Sequence, residues 1–241
     1  MKHIEAKRII NKVRQNYNTI AQDWHQSRQK PSGVKVKVLA EIKKNDSVLD
    51  LGCGNGLMVP EVIKRGGHYI GLDISEKLLA LAKKIFKKEI KDKQVKFVLG
   101  EANNLPFTKN SFDFVFSYAV MHHIPSPEFR LGFLKEIYRV LNPGGQAAII
   151  NWNLLNAWAD KRFKIKEQLA HQHPGLETND VFVPWKATAS KSISRYLHIF
   201  TKPEILALAK KAGFKKYSAE FYSRAGVKEK NSEELVLKLI K

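Results

Sequence analysis

The stretch that decides the fold is VLDLGCGNGLMVPEVIKRGGHYIGLDIS, residues Val48 to Ser75. An apolar run, Ser47–Leu51, meets three glycines, Gly52, Gly54 and Gly56, and a helical pattern follows over Leu57–Arg65. A second apolar run, His68–Leu72, then ends beside an acid, Asp73. Strand, bare turn, helix, strand and acid describe a βαβ unit with parallel strands and a right-handed crossover. Glycine has no Cβ, so a ligand can approach the turn backbone closely. An acid about twenty residues on, at the end of the second strand, is placed to accept both hydroxyls of a ribose. The expectation is a cofactor that contains a nucleoside.

The same rhythm extends outward. Val95–Leu99, Phe112–Tyr118 and Gln146–Trp152 read as further strands, with helices over Val34–Ile42, Glu76–Lys88 and Phe129–Leu141. NPGG, Asn142–Gly145, stops the last of these helices and leads into a strand. Ahead of this core, Lys2–Asn16 carries a weak helical pattern that gives way to the breakers Pro31 and Gly33. After it, Asn153–Ser194 breaks the rhythm with two tryptophans and a basic helix candidate over Ala159–His171. Thr201–Ala212 reads as a helix, and FKKYSAEFYSR and ELVLKLI read as two final strands that pair at an antiparallel edge. Alternation of strand and helix implies an α/β fold with helices on both faces of a mostly parallel sheet. One domain is expected, made of an N-terminal lid (1–33), a cofactor core (34–152), an insertion on the substrate side (153–200) and a C-terminal helix with a strand pair (201–241).

Composition narrows the class. Hydrophobic residues form 44% of the 241-residue chain, enough for a real core. No apolar run approaches the roughly 18 residues of a membrane span, and the start, MKHIEAKRIINKVRQ, is charged. The expectation is a cytoplasmic protein without membrane insertion. One cysteine, Cys53, excludes an internal disulfide and a cysteine-type structural zinc site, and no metal is expected. Between two glycines, Cys53 reads as a small residue at a crowded bend rather than as a nucleophile. Forty-two Lys and Arg against twenty-three Asp and Glu give a net charge of +19. Such an excess attracts polyanions, nucleic acid first; solubility alone is the plainer alternative.

The turn also discriminates between cofactors. Dinucleotide sites use G-x-G-x-x-G with a helix N-terminus aimed at the pyrophosphate, whereas here Leu57 follows a G-x-G-x-G and Asp50 precedes it. A carboxylate there repels a pyrophosphate and suits a cationic amino-acid group, which fits S-adenosyl-L-methionine better than a dinucleotide. VLDLGCGNG, GLDIS, GEANNLPFTKNSFDFVFSYAVMHHI and EIYRVLNPGGQAAI, in that order, resemble the successive motifs of class I S-adenosylmethionine-dependent methyltransferases. The resemblance implies a Rossmann-like, doubly wound sheet of about seven strands whose last strand is antiparallel. It assigns the methionine end of the cofactor to Asp50, Gly52, Gly54 and Gly56, and the ribose to Asp73 with Ile74 beside it. The adenine edge falls to Glu101 and Ala102, where relatives usually have Asp before the second position, and Ser117 and Tyr118 would border the methyl donor.

The flanks carry a narrower resemblance. YNTIAQDWHQSRQKP, AVMHHI followed by Arg130, VPW and RYLHIF are similar to pieces of the tRNA wobble-uridine carboxymethyl methyltransferases, including the type fused to an AlkB-like oxygenase. Relatives usually have Trp where this chain has Ser32, and Tyr where it has Leu197. The resemblance implies tRNA as partner, esterification of a carboxymethyl group, and, in eukaryotic relatives, a small activator subunit. A carboxylate is ionised near neutral pH and needs no general base, so the site needs cations to hold it; Arg28 and Arg195 are the candidates. His122, His123 and His198 are candidates for orienting the acceptor or accepting its proton. If extended, RYLHIF puts Arg195 opposite Tyr196 and His198, so only one set can face the cleft. Tyr17 and Trp24 read as lid or as packing, Trp185 as insertion core or as a stacking surface, and the lysine runs as solvated helix faces or an RNA track. Two other readings stand beside this one: a methyltransferase of quinones or other lipids, and a cofactor-binding partner subunit without turnover.

Overall fold

The chain is described by a computed structural model that covers all residues except 29, 172–173, 187–191 and 231, with only the backbone of Lys186. Five strands follow the expected rhythm: β1 (Ser47–Leu51), β2 (His68–Asp73), β3 (Val95–Leu99), β4 (Phe112–Tyr118) and β5 (Leu141–Trp152). With β8 (Lys216–Tyr222) and β9 (Glu234–Ile240) they make a seven-stranded sheet in the order β3-β2-β1-β4-β5-β9-β8. The first five run parallel, and β9 runs antiparallel to both of its neighbours. The antiparallel strand is therefore internal and β8 forms the edge, a finer placement than pairing of the last two strands alone implies. β5 begins five residues earlier than its apolar run, because Leu141 pairs with Phe112 and the register then slips across NPGG before Gln146 meets Phe114.

Alternation along the strands builds two cores. Leu49 and Leu51 face the layer of α7 (Pro127–Val140) and α10 (Lys202–Lys211), where Phe133, Leu134, Ile137, Ile205 and Leu208 are buried. Val48 faces the opposite layer of α3 (Gly33–Leu39), α4 (Val59–Lys64) and α5 (Glu76–Ile85), with Val38, Val62, Leu79 and Ala82. The helix expected over Glu76–Lys88 divides at Phe86 into α5 and α6 (Lys87–Lys91). Ser75 starts α5 with its hydroxyl accepting the Leu78 N–H, and Ser126 starts α7 in the same way on Phe129.

The N-terminal segment forms α1 (His3–Thr19) and α2 (Ala21–Gln26). The insertion holds two short helices rather than one, α8 (Ala157–Phe163) and α9 (Ile165–Ala170), broken at Lys164, whose φ of 53° is left-handed. It also holds a separate antiparallel pair, β6 (Asp180–Lys186) and β7 (Ser192–His198). Residues 187–191, inside the insertion, lie outside the described residues. Leu154, Ala159, Ile165, Val181, Val183, Leu197 and Ile199 close a third, smaller core beneath the pair. Leu197, where relatives carry Tyr, belongs to that core. The insertion is held to the N-terminal segment by the Asn16 side-chain amide, which donates to the Ser194 carbonyl at 2.8 Å.

Candidate active site

At the C-terminal ends of β1 and β2 the glycine turn folds back onto its neighbour strand. The N–H groups of Gly52 and Cys53 both donate to the Leu72 carbonyl, at 2.7 and 3.1 Å. Asp73, the last residue of β2, accepts the Gly54 N–H on one oxygen and the Ser75 N–H on the other, both at 2.8 Å. A single carboxylate thus fixes the turn and the start of α5. Burial pushes its pKa up, and these backbone donors hold it partway down.

The glycines divide the work. All three have positive φ, 76° at Gly52, 56° at Gly54 and 78° at Gly56. A Cβ at Gly52 would sit 2.1 Å from Val120, whereas at Gly54 the nearest atom is the Trp24 indole nitrogen at 3.9 Å. Gly52 and Gly54 line the main cavity; Gly56 does not, and faces Phe86 and Phe97 instead. Its bareness serves packing. Cys53 is buried beneath Gly71, and desolvation raises its thiol pKa well above the usual value, which removes it as a nucleophile.

The cavity has an acidic side. Asp50, Asp73, Ile74, Glu101 and Ala102 line it, as expected. Asp50 is only 4% exposed and accepts the Tyr69 hydroxyl at 2.7 Å. Desolvation is the main reason its pKa is pushed up to about 7; the Tyr69 bond lowers it, Asp73 raises it and Lys35 lowers it. Lys35 is the cation that acts on this carboxylate, and it does not offset the burial. The donor set therefore fits S-adenosyl-L-methionine: an acid for the ammonium end, an acid for the ribose, and no cradle for a phosphate. Bound there, the cofactor would supply a methyl group activated by a sulfonium.

Opposite lies a cationic and aromatic side that the N-terminal helices cover. Tyr17 of α1, Trp24 of α2, Arg28 and Lys35 of α3 line the same cavity. The Arg28 guanidinium lies 4.4 Å from the Trp24 ring, and Tyr17 and Trp185 pack on that indole at 5.2 and 6.0 Å. Asn18 accepts the Ser75 hydroxyl at 2.7 Å, and the Asn55 amide meets His25 at 2.9 Å, so the cover is tied to both sides of the turn. Lys35 is the residue that sequence reasoning missed. Its ammonium stacks on Tyr118 at 3.6 Å, and burial brings its pKa down to about 8. In GVKVKVL it looks like any lysine on a helix face, and no sequence signal separates it from Lys37. Tyr118 in turn donates to Glu234 at 2.8 Å, a carboxyl that burial pushes up to about 7.

Several expected residues stand elsewhere. Ser117 is fully buried and its hydroxyl donates to the Leu51 carbonyl at 3.1 Å, so it ties β4 to β1 while Tyr118, Ala119 and Val120 face the cavity. His198 does not line the cavity: it bridges Asp180 and Glu204, each at 2.8 Å, and joins β7 to α10. Glu177, Asp180 and His198 cluster closely enough to suggest a metal site, but Arg130 binds Glu177, and both ring nitrogens of His198 are engaged. His122 is enclosed, with Nδ1 on the Trp152 N–H, and also lies off the cavity wall. Arg195 faces away from Tyr196 and His198, as the alternation of an extended strand requires. It lies over the Trp152 ring at 5.1 Å, beside Tyr17 but behind the wall, and two of its buried nitrogens have no partner among the described residues. Among the described residues, His123 is the one histidine that lines the cavity. Its Nδ1 donates to the Tyr196 carbonyl at 2.7 Å, which leaves Nε2 to accept the Tyr17 hydroxyl at 2.8 Å. Burial depresses its pKa to about 3. His123 is neutral and fully engaged.

A glycine turn strapped by a strand-end acid, on a parallel sheet with one reversed strand, defines a doubly wound fold suited to a nucleoside cofactor. Residues 49–149 match a family model described as a methyltransferase domain. A solved S-adenosylmethionine-dependent methyltransferase from Methanosarcina mazei is 24% identical, with a TM-score of 0.66 over 85% of this chain and 96% of that one. Over this core the chain is similar to the S-adenosylmethionine-dependent methyltransferases. It is 31% identical over 191 residues to the tRNA (carboxymethyluridine(34)-5-O)-methyltransferase of Saccharomyces cerevisiae, covering 78% of this chain and 60% of that protein. The Schizosaccharomyces pombe enzyme of the same name is 27% identical over 220 residues, 83% of this chain and 87% of that one. A demethylmenaquinone methyltransferase of Lactococcus lactis is 44% identical over 108 residues, covering 43% of this chain and 41% of its own length.

Proposed function

We propose that this protein transfers a methyl group from S-adenosyl-L-methionine to the carboxylate of a carboxymethyl-type uridine at the wobble position of tRNA. The observation that carries the reading is a cavity with cations on the acceptor side and a lining histidine that is not free to act as a base. Arg28 and Lys35 line it, while the one histidine among its described lining residues is held neutral with both nitrogens engaged. A hydroxyl or ring-carbon acceptor must lose a proton during reaction, whereas a carboxylate arrives ionised. Fungal relatives that bear this activity in their names match over about four-fifths of the chain, while the quinone relative matches over 43%. The excess of +19 favours a polyanionic partner.

In this reading Arg28 and Lys35 hold the acceptor carboxylate and set its line of approach, since in-line displacement depends on alignment. Tyr17, fixed by His123, and Trp24 exclude water from the reacting centre. Arg195 stands behind Tyr17 and keeps that wall positively charged. A partner subunit that activates the enzyme belongs to the same proposal: a solved archaeal neighbour of this fold, with 18% identity and a TM-score of 0.65, is in complex with the Trm112 methyltransferase activator.

The test incubates the protein with labelled S-adenosyl-L-methionine and total RNA from a strain lacking the gene, followed by mass spectrometry of nucleosides. The expected product is a methyl ester of carboxymethyluridine, released by mild alkali. Label confined to lipids or quinones would overturn the reading in favour of a small-molecule acceptor.

A further inference from the structure

Trp158 of α8 is half exposed, beside the equally exposed Leu155. Two guanidiniums lie close to its ring. Arg162, one turn further along α8, lies 5.9 Å from the ring centroid, and Arg224, from the loop between β8 and β9, lies 5.4 Å away. Phe163 meets the indole edge-on at 5.7 Å and props it from the protein side. Both arginines are exposed, and among the described residues neither guanidinium forms an ion pair. An indole placed in this way, with half its surface in solvent, does little for the core.

Its position relates it to the cavity. The Val34 N–H donates to the Arg224 carbonyl at 3.2 Å, and Lys37 donates to the Gly226 carbonyl at 3.1 Å, so the loop is docked on the start of α3, one residue from Lys35. The Arg224 charge acts on Arg28, Lys35 and Glu234. α8 is carried in place by the end of β5, where Asn153 bonds to Glu233 and Ser232 at the start of β9. The cluster therefore stands beside the acceptor side of the cavity.

We infer that Trp158, Arg162 and Arg224 form a stacking platform for a base of single-stranded RNA, holding a nucleotide next to the one whose modified group enters the cavity. The inference rests on the acceptor reading above and names the contact that would make it work. Every base has a π-face, so an indole accepts neighbours of any sequence. Planar guanidiniums stack on the same face and grip flanking phosphates bidentately. The platform joins the insertion to the β8–β9 loop, so it exists only once the fold is complete.

The test uses the full chain, an anticodon-type RNA stem–loop, and vesicles rich in phosphatidylserine. Trp158→Ala should weaken binding of the stem–loop about tenfold, equivalent to about 1.4 kcal/mol, within the range for one stacked base. Trp158→Phe should stay within about threefold of wild type, because a stacking face remains. Arg162→Gln should lower the slope of log affinity against log salt by about one. S-adenosyl-L-methionine should bind all variants equally, which also reports an intact fold. Equal RNA affinity in wild type and Trp158→Ala would overturn the platform and leave the acceptor reading standing. Failure of the wild type to bind RNA at all would overturn both. Loss of vesicle binding in Trp158→Ala, without loss of RNA binding, would assign the patch to a membrane surface and overturn the inference.

Discussion

Lowering the pH should weaken cofactor binding through Asp50. This carboxyl is buried against Tyr69, and burial holds its pKa at about 7. A bound cation favours the ionised form, so below pH 7 binding must first expel a proton. With that pKa, about three molecules in four are ionised at pH 7.5 and about one in ten at pH 6. The apparent Kd for S-adenosyl-L-methionine should therefore rise nearly tenfold across that interval, with close to one proton released per binding event at pH 6. Titration calorimetry in two buffers of different ionisation enthalpy measures both quantities. In Asp50→Asn the affinity should be lower at pH 7.5 and flat with pH. A flat wild-type profile would refute the reasoning, and a slope that persists in Asp50→Asn would move the titration to Glu234, whose pKa is also about 7. For the unliganded fold the raised pKa acts differently. The stabilisation from the neutral carboxyl is full below the unfolded value of 3.8 and is lost as pH rises through about 7.

Asp73→Asn leaves an amide facing one of the two N–H donors that the carboxylate now accepts. It also removes the charge that the proposed ribose contacts would use, so Kd for the cofactor should rise about 10- to 100-fold in the same calorimetry. Arg28→Ala should cut kcat/KM for the acceptor about 100-fold, roughly 2.7 kcal/mol, with cofactor Kd unchanged within about twofold; equal loss of both would place Arg28 in the cofactor lid. Lys35→Met should act in the same direction and less strongly, and it separates a carboxylate clamp from a mere prop for Tyr118. Phe133→Ala, at a fully buried position of α7, should cost about 3–5 kcal/mol in urea unfolding.

The central strands were plain in the sequence because both of their faces are covered. Ser47–Leu51 and Phe112–Tyr118 are apolar runs bounded by turn residues, and the folded strands have the same limits; Val95–Leu99, at the sheet edge with Lys96 and Leu99 exposed, also keeps its expected limits. Asp73, placed by its spacing from the glycines, lies at the cavity for the same reason. The small sheet was not legible: Pro184 lies within β6, and a proline inside a short run counts against a strand. Side-chain roles set by partners from distant segments were hidden too. Ser117 looks like a strand-end residue at a cleft, yet the Leu51 carbonyl captures it. His198 reads as an acceptor guide until Asp180 and Glu204 close on it. Lys35 becomes distinctive only when Tyr118 and Asp50 surround its helix.

The late arrival of β9 shapes how the chain must be made. It alone covers the outer side of β5, pairing along Gln146–Trp152. During synthesis, that side, with Ala147, Ala148, Ile149 and Ile150 in a row, stays open while everything from Asn153 to Glu233 is translated. A bare, apolar strand flank recruits other strands. Nascent chains should therefore depend on chaperone holding through this window, and slow codons within it should increase misassembly without changing a single contact of the finished enzyme.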